Sequence, residues 1–149
     1  MTRKEISQFI ESGVKLLAPK TQYGRGRLSE WNSRRDHVYP KVWQVTNEET
    51  IATEFSPTLT PIDSWDIDLR VAFKDSQDST EEQYEDLVDY ADSLAQKLMF
   101  NYNQIVQTLP AVSLSGITRT PFFKKNADGI TGVKITFTLT VADLTSNCP

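Results

Sequence analysis

Few side chains in this sequence are suited to catalysis. The single histidine, His37, follows Asp36, and the single cysteine, Cys148, is the second residue from the end. No recognised motif places a nucleophile beside His37, so we interpret it as a surface histidine rather than a general base. One cysteine excludes an intrachain disulfide and a cysteine-rich metal site, and Cys148 has no neighbour in sequence that would favour its thiolate.

Carboxylates are the other candidate chemical groups. Asp66 and Asp68 share one face if their segment is a strand, and with Asp63 they could offer oxygen ligands to a divalent cation. Because that face must also meet solvent, we favour solvated strand residues and keep a metal enzyme as the weaker alternative. The sequence has no Walker loop, G-x-G-x-x-G, H-E-x-x-H, G-x-S-x-G or C-x-x-C. We predict a protein with neither a cofactor nor enzymatic activity.

The strongest signal is the separation of charge along the chain. Lys15 to Lys41 contains seven basic residues and two acidic ones, whereas Asp75 to Asp92 contains eight acidic residues and no basic one. A solvated loop and a solvated helix face are one interpretation. The alternative is that the patches meet between copies of the chain, in head-to-tail contacts that close into rings. The candidate interface or DNA-facing residues are Arg25, Arg27, Trp31, Arg34, Arg35, Glu81, Glu82, Glu85 and Asp86.

Length and composition limit the class of protein. The 149 residues fit one domain, and 38% hydrophobic with 24% charged residues is typical of globular proteins. No stretch approaches the roughly 18 apolar residues of a membrane span, and no apolar run follows Arg3 and Lys4 as in a signal peptide. We therefore expect a soluble protein. The net charge of −4 argues against a general nucleic-acid coat but permits a local basic patch.

The first half of the chain predicts one helix and little regular structure after it. Thr2 and Glu5 have capping-box spacing before an apolar stripe that runs to Leu17, and Pro19 should end the helix. Residues 20–41 have no period and many turn residues, which predicts a long basic loop. Two short extended segments should follow, at residues 42–45 and 51–55, and Pro57 and Pro61 should then interrupt strand pairing.

The apolar residues of the second half of the chain follow clearer periodic patterns. Trp65 to Phe73 alternates as a half-buried strand, and Ser79 and Glu82 cap a helix that keeps its period until Pro110. A long hairpin should then pair residues 112–121 with 133–141. We predict one α+β domain over residues 1–149: a helix (1–19), a basic loop (20–41) and a body (42–149) in which a long amphipathic helix covers a largely antiparallel sheet. The core should contain Leu94, Leu98, Ile135, Phe137 and Leu139.

The order of elements predicted for residues 61–149 is similar to that of a known group of proteins. The alternating strand from Trp65 to Phe73, a helix with Tyr84-x-x-Leu87-Val88 and Leu94-x-x-x-Leu98, and a hairpin ending in the segment 132–143 are similar to small head–tail joining and tail-terminator proteins of tailed bacteriophages. The tail from Asp143 to Pro149 resembles those of phages infecting Bacteroidetes, including crAss-like phages. The basic loop has no counterpart in this pattern.

The resemblance implies a structural virion protein of the neck or tail, made in the host cytoplasm. Its partners would be further copies of itself in a homo-oligomeric ring, other neck, portal or tail proteins, and transiently DNA in the lumen, with no membrane. The alternative is a nucleic-acid-binding adaptor, because Tyr23, Trp31 and the arginines of the loop combine aromatic and basic side chains.

Overall fold

The positions of the regular elements follow most of the patterns in the sequence. The computed structural model describes residues 2–17, 21–27, 40–46, 51–74, 81–122 and 130–142. The elements in those stretches are α1 (Arg3–Lys15), β1 (Gln22–Gly26), β2 (Lys41–Val45), β3 (Ile51–Phe55), β4 (Pro61–Lys74), α2 (Glu81–Gln107), β5 (Val112–Phe122) and β6 (Ile130–Ala142). The predicted order of elements is confirmed, with β1 as an addition.

Helix α1 begins with the predicted capping box. The backbone N–H of Glu5 donates to Thr2 Oγ1 at 3.2 Å, and the backbone N–H of Thr2 donates to the Glu5 carboxylate at 3.4 Å. These bonds satisfy two of the donors that a helix N-terminus leaves unpaired. The buried face of α1 comprises Ile6, Ser7, Phe9, Ile10, Gly13 and Val14.

The sheet is mostly antiparallel. Its strand order in the described part of the chain is β1-β2-β4-β6-β5, and β3 pairs with β4 outside this path. Strands β2 and β3 share one edge of β4, because β2 pairs with residues 68–72 and β3 with residues 61–65. Only the contact between β1 and β2 is parallel among these pairs. The α+β class and the antiparallel sheet are therefore confirmed.

Two sequence-based expectations are wrong. Residues 22–26 of the predicted loop form β1, whose alternation is hidden because Gly24 and Gly26 leave one face of the strand without side chains. Pro61 does not interrupt pairing but begins β4 opposite Phe55. The first residue of a strand is one of the positions where a missing N–H is tolerated.

One apolar cluster lies between the sheet and the helices. Helix α2 packs against β4, β5 and β6, and α1 packs against α2 and the β1 end of the sheet. Leu98, Ile135, Phe137 and Leu139 are buried in this cluster and Leu94 packs against it, as predicted. Neither α1 nor α2 has the length and apolar character that crossing a membrane requires.

Tyr102 joins the two helices to the sheet. Its ring stacks on Phe9 of α1 with centroids 5.2 Å apart and lies 5.9 Å from the ring of Phe137 in β6. Its hydroxyl donates to the backbone carbonyl of Ile10 at 2.8 Å. Gly13 allows this approach, because a Cβ there would lie 2.1 Å from Tyr102 Cε1. Tyr102 of α2 therefore joins α1 to β6 of the sheet.

Candidate functional site

Strand β1 carries the described part of the predicted basic segment. Arg25 and Arg27 are exposed at this end of the sheet. Tyr23 packs against the core, and its hydroxyl donates to Gln44 Oε1 at 2.6 Å. We call Arg25 and Arg27 the basic edge. Tyr23, by contrast, is part of the packing between β1 and β2.

The glycines of the Gly24-Arg25-Gly26-Arg27 segment have a structural role. A Cβ on Gly24 would lie 2.8 Å from the six-membered ring of Trp43, so the indole packs directly on the β1 backbone. Trp43 Nε1 donates to the carbonyl of Gly26 at 3.1 Å, and Gly26 has a φ of 143° that favours glycine. Lys41 is buried with its Nζ 5.0 Å from the Trp43 ring centroid. Lys41 therefore adds no exposed charge to the described part of the basic segment.

The first half of α2 carries the acidic patch. Glu85, Asp86 and Asp89 are exposed, and Asp92 is half-buried. Asp92 accepts two hydrogen bonds from Nη1 of Arg119 in β5, at 2.8 and 2.9 Å. We call these four acidic residues the acidic half of α2. Because Asp92 pairs with Arg119, the acidic half of α2 lies beside β5, at the end of the sheet opposite β1.

The two charged surfaces are too far apart to neutralise each other within one chain. Strands β1 and β5 are the ends of the five-strand path, so about 19 Å separates them at a spacing of about 4.8 Å per strand. The screening length at physiological ionic strength is only about 8 Å. Each chain therefore presents a basic end and an acidic end to its surroundings.

Several predicted site residues lie outside the described part of the chain. Trp31, Arg34 and Arg35 belong to this group, as do His37 and Cys148. The backbone of Glu81 and Glu82 forms the first turn of α2, but their side chains are not among those described. The structure therefore locates Arg25, Arg27, Glu85 and Asp86 from the predicted set, and it does not bring the two signs of charge together.

The aspartates of β4 are engaged in pairs. Asp68 accepts from Arg70 Nε at 2.9 Å and lies 3.8 Å from Lys134 Nζ. Asp66 accepts from the hydroxyl of Thr138, and Asp63 accepts from that of Thr53. Within the described residues, no group of three or more His, Cys, Asp or Glu side chains is arranged to hold a metal ion.

Other surface features were not predicted from the sequence. A groove of about 430 Å³ lies between the acidic half of α2 and β5, and Arg119 and Asp92 line it. A second groove, of about 630 Å³, lies between the end of α1 and the middle of α2. The side chains of Phe55 and Leu59 are 67% and 73% exposed at the turn between β3 and β4. No local period marks these residues, because their exposure depends on how distant elements pack.

No protein-family model matches the sequence, and no curated protein is significantly similar to it.

Proposed function

We propose that this chain is a structural virion protein, one subunit of a ring in the head–tail connector or tail terminator of a tailed bacteriophage. The observation that carries the proposal is the placement of opposite charges at opposite ends of one sheet: Arg25 and Arg27 at β1, and the acidic half of α2 beside β5. A surface of this kind favours repeated head-to-tail contacts over self-complementary pairing.

The edge of β5 favours contacts between side chains over continuation of the sheet. The pairing of β5 with β6 shifts register between Ser115 and Thr118, and Gly116 there has a φ of 65°. Such a bulge twists an edge strand and discourages another strand from pairing with it. In the proposed ring, the basic edge of one copy therefore contacts Glu85, Asp86 and Asp89 of the next.

The remaining parts of the subunit have supporting roles in this proposal. The sheet, including β1, and the long helix α2 form the body, and Arg25, Arg27, Trp31, Arg34 and Arg35 of the basic segment contact a neighbouring copy or line a DNA channel. Other neck, portal or tail proteins bind above and below the ring. Neither a cofactor nor catalysis is part of the function. The resemblance of residues 61–149 to neck and tail proteins supplies the phage context.

A nucleic-acid adaptor has less support from the same segment. Gly24 and Gly26 serve the packing of Trp43, and Tyr23 is turned into the core, so neither feature indicates a platform for bases. Among the described residues of this segment, Arg25 and Arg27 are the exposed cations, and two phosphate contacts would bind nucleic acid only weakly. We therefore treat nucleic-acid binding as an outcome of the test rather than as a second proposal.

Sedimentation velocity and light scattering test the ring directly. The wild type should form a discrete species of several chains, and negatively stained particles should average to rings. Replacing both Arg25 and Arg27 by Glu should weaken assembly. Replacing Glu85 and Asp86 by Lys in that variant should restore it, because the charge pairs re-form with reversed sign.

The controls separate pairing from a general charge effect. Lys4→Glu reverses an exposed charge on α1 and should leave assembly unchanged. A wild type that remains a single chain and binds single-stranded DNA with a steep salt dependence would contradict the proposal and favour the adaptor.

A further inference from the structure

The turn between β3 and β4 holds a leucine in an unfavourable backbone conformation. Leu59 has a φ of 64°, where a Cβ is disfavoured and glycine or asparagine is usual. The turn is well bonded: Leu59 N–H donates to the carbonyl of Ser56 at 2.8 Å, and Ser56 N–H donates to that of Thr60 at 3.0 Å. The side chain of Leu59 is nevertheless 73% exposed. Folding stability alone therefore does not account for a leucine at this position.

Leu59 belongs to an exposed apolar projection. Phe55, the last residue of β3, is 67% exposed, and Ile51 at the start of the strand is also exposed. Glu54 is the one charged residue between positions 51 and 60. We call Ile51, Phe55, Leu59 and Glu54 the β3–β4 knob. It combines apolar contact groups with one negative charge, which leaves β3 on the face opposite to Phe55.

The groove between α1 and α2 has complementary properties. Its volume is about 630 Å³, and Leu17 and Leu94 line it together with the more exposed Leu16 and Phe100, at 64% and 61%. Gln96, Lys97 and Asn101 complete its lining, and Lys97 is the one charged residue among the described lining residues. We call this feature the α1–α2 groove. Its described lining is apolar on the side of the leucines and Phe100 and carries one positive charge.

The knob cannot fill the groove of its own chain. Arg3, at the start of α1, lies with its guanidinium 5.8 Å from the centroid of the Trp65 ring, and Trp65 pairs with Ile51 of the knob. The groove instead lies at the other end of α1, beside Leu16. The 13 residues of α1 separate the two ends by about 20 Å.

We propose that the β3–β4 knob of one copy binds the α1–α2 groove of a second copy. Leu59 and Phe55 enter the groove, and Glu54, on the other face of β3, lies at its rim close to Lys97. The contact joins two different surfaces, so it repeats from copy to copy and is compatible with a closed ring. This inference rests on the proposed function, to which it adds a second and apolar interface. It also gives Leu59 a role, since strained residues often mark sites that serve something other than folding.

Leu59→Gly is the most informative variant because it separates association from folding. Glycine relieves the backbone strain, so the thermal midpoint of the isolated chain should not fall and is expected to rise. The loss of the leucine side chain should weaken self-association at least tenfold in sedimentation equilibrium. Ala111→Gly is the matched control: Ala111 has a φ of 61° and is exposed but lies outside the knob, so it should leave association unchanged.

A charge exchange tests the orientation of the contact. Glu54→Lys and Lys97→Glu should each weaken association about threefold, and the double variant should recover most of that loss. Cross-linking adds a direct test in a Cys148→Ser background. In the presence of a mild oxidant, which accepts the two electrons of each disulfide formed, a Leu59→Cys chain mixed with a Phe100→Cys chain should form a disulfide-linked pair. An Ala111→Cys chain mixed with the Phe100→Cys chain should not.

The outcomes distinguish this inference from the proposed function. If Leu59→Gly assembles like the wild type while reversal of Arg25 and Arg27 dissociates the ring, the knob is not an interface and the ring proposal stands. If Leu59→Gly dissociates and the arginine reversal does not, the knob stands and the charged contact is wrong. A wild type that never associates contradicts both.

Discussion

The two faces of the sheet carry different side chains: the helix face lies beneath α1 and α2, and the opposite face is turned away from them. On the helix face, Ile67 and Leu69 of β4 and Ile135 and Phe137 of β6 join one continuous apolar cluster with α1 and α2. On the opposite face, Trp43 belongs to a smaller separate cluster with Ala72, Phe122 and Ile130.

Polar pairs occupy much of the remaining opposite face. Asp68 pairs with Arg70, and the hydroxyls of Thr118 and Thr136 are hydrogen-bonded. Such pairs near solvent contribute little individually, whereas a buried aromatic side chain contributes several kcal/mol. The comparison indicates that stability depends mainly on the buried contacts of the helix face.

Substitution of two neighbouring residues, one on each face, should give the largest difference in the free energy of unfolding. Phe137→Ala removes a buried ring that contacts Tyr102 and should lower the free energy of unfolding by about 3–5 kcal/mol. Thr138→Ala, on the opposite face, should change it by less than about 0.5 kcal/mol. Denaturant unfolding of both variants measures the difference. A loss below about 1 kcal/mol for Phe137→Ala would show that the helix face is not the main source of stability.

Gly13→Ala tests how closely the helices pack on that face. Alanine usually stabilises a helix interior relative to glycine by about 1 kcal/mol. Here the new Cβ would meet the buried ring of Tyr102, so we expect a net loss of about 1–3 kcal/mol. Ser12→Ala, on the exposed side of α1, is the control and should be close to neutral. Greater stability for Gly13→Ala in thermal unfolding would refute the close contact.

Gly24→Ala tests the packing of Trp43 on the opposite face. The added methyl group would lie against the Trp43 ring and should cost about 1–2 kcal/mol. The cost should be smaller in a Trp43→Phe background, because the phenyl ring is shorter than the indole. A double-mutant cycle by chemical denaturation measures this coupling. Equal costs in both backgrounds would mean that Gly24 is required for a reason other than Trp43.

Tyr102→Phe should change the free energy of unfolding least at neutral pH, and it should also change how that free energy depends on pH above ~10. The lost hydrogen bond to Ile10 should cost about 1 kcal/mol. Burial raises the pKa of Tyr102 well above its usual value, and the nearby Tyr23 raises it further. The unfolded chain releases this proton near pH ~10 while the folded chain retains it, so stability should fall as the pH rises above ~10.

The alkaline effect has a matched control. Tyr102→Phe should reduce the fall in unfolding free energy above pH ~10, whereas Tyr90→Phe, an exposed tyrosine on the same helix, should retain the wild-type fall. Denaturant titrations at pH ~8 and ~11 compare the variants. Identical pH dependence in the wild type and Tyr102→Phe would show that Tyr102 does not cause the effect.

Local patterns predict much of this fold because neighbouring side chains share a buried face. The Thr2 capping box, the alternation of Trp65 to Phe73 and the stripe through Leu94 and Leu98 each predict an element that the structure contains. Their apolar positions also predict the common core. In each case the signal repeats within one element, so it can be recognised without knowing the partner of that element.

The amino-acid pattern is sufficient for the α+β class, the main elements and the separation of charge along the chain. The positions of the charges in space and the exposure of individual side chains depend on tertiary packing. Strand β1 depends on a partner beyond its own segment, and Gly13 depends on Tyr102, 89 positions later. The positions of Leu59 and Phe100 on the surface likewise follow from how β3 and α2 pack. Such contacts leave no local period, because they join residues that are distant in the chain and adjacent only after folding.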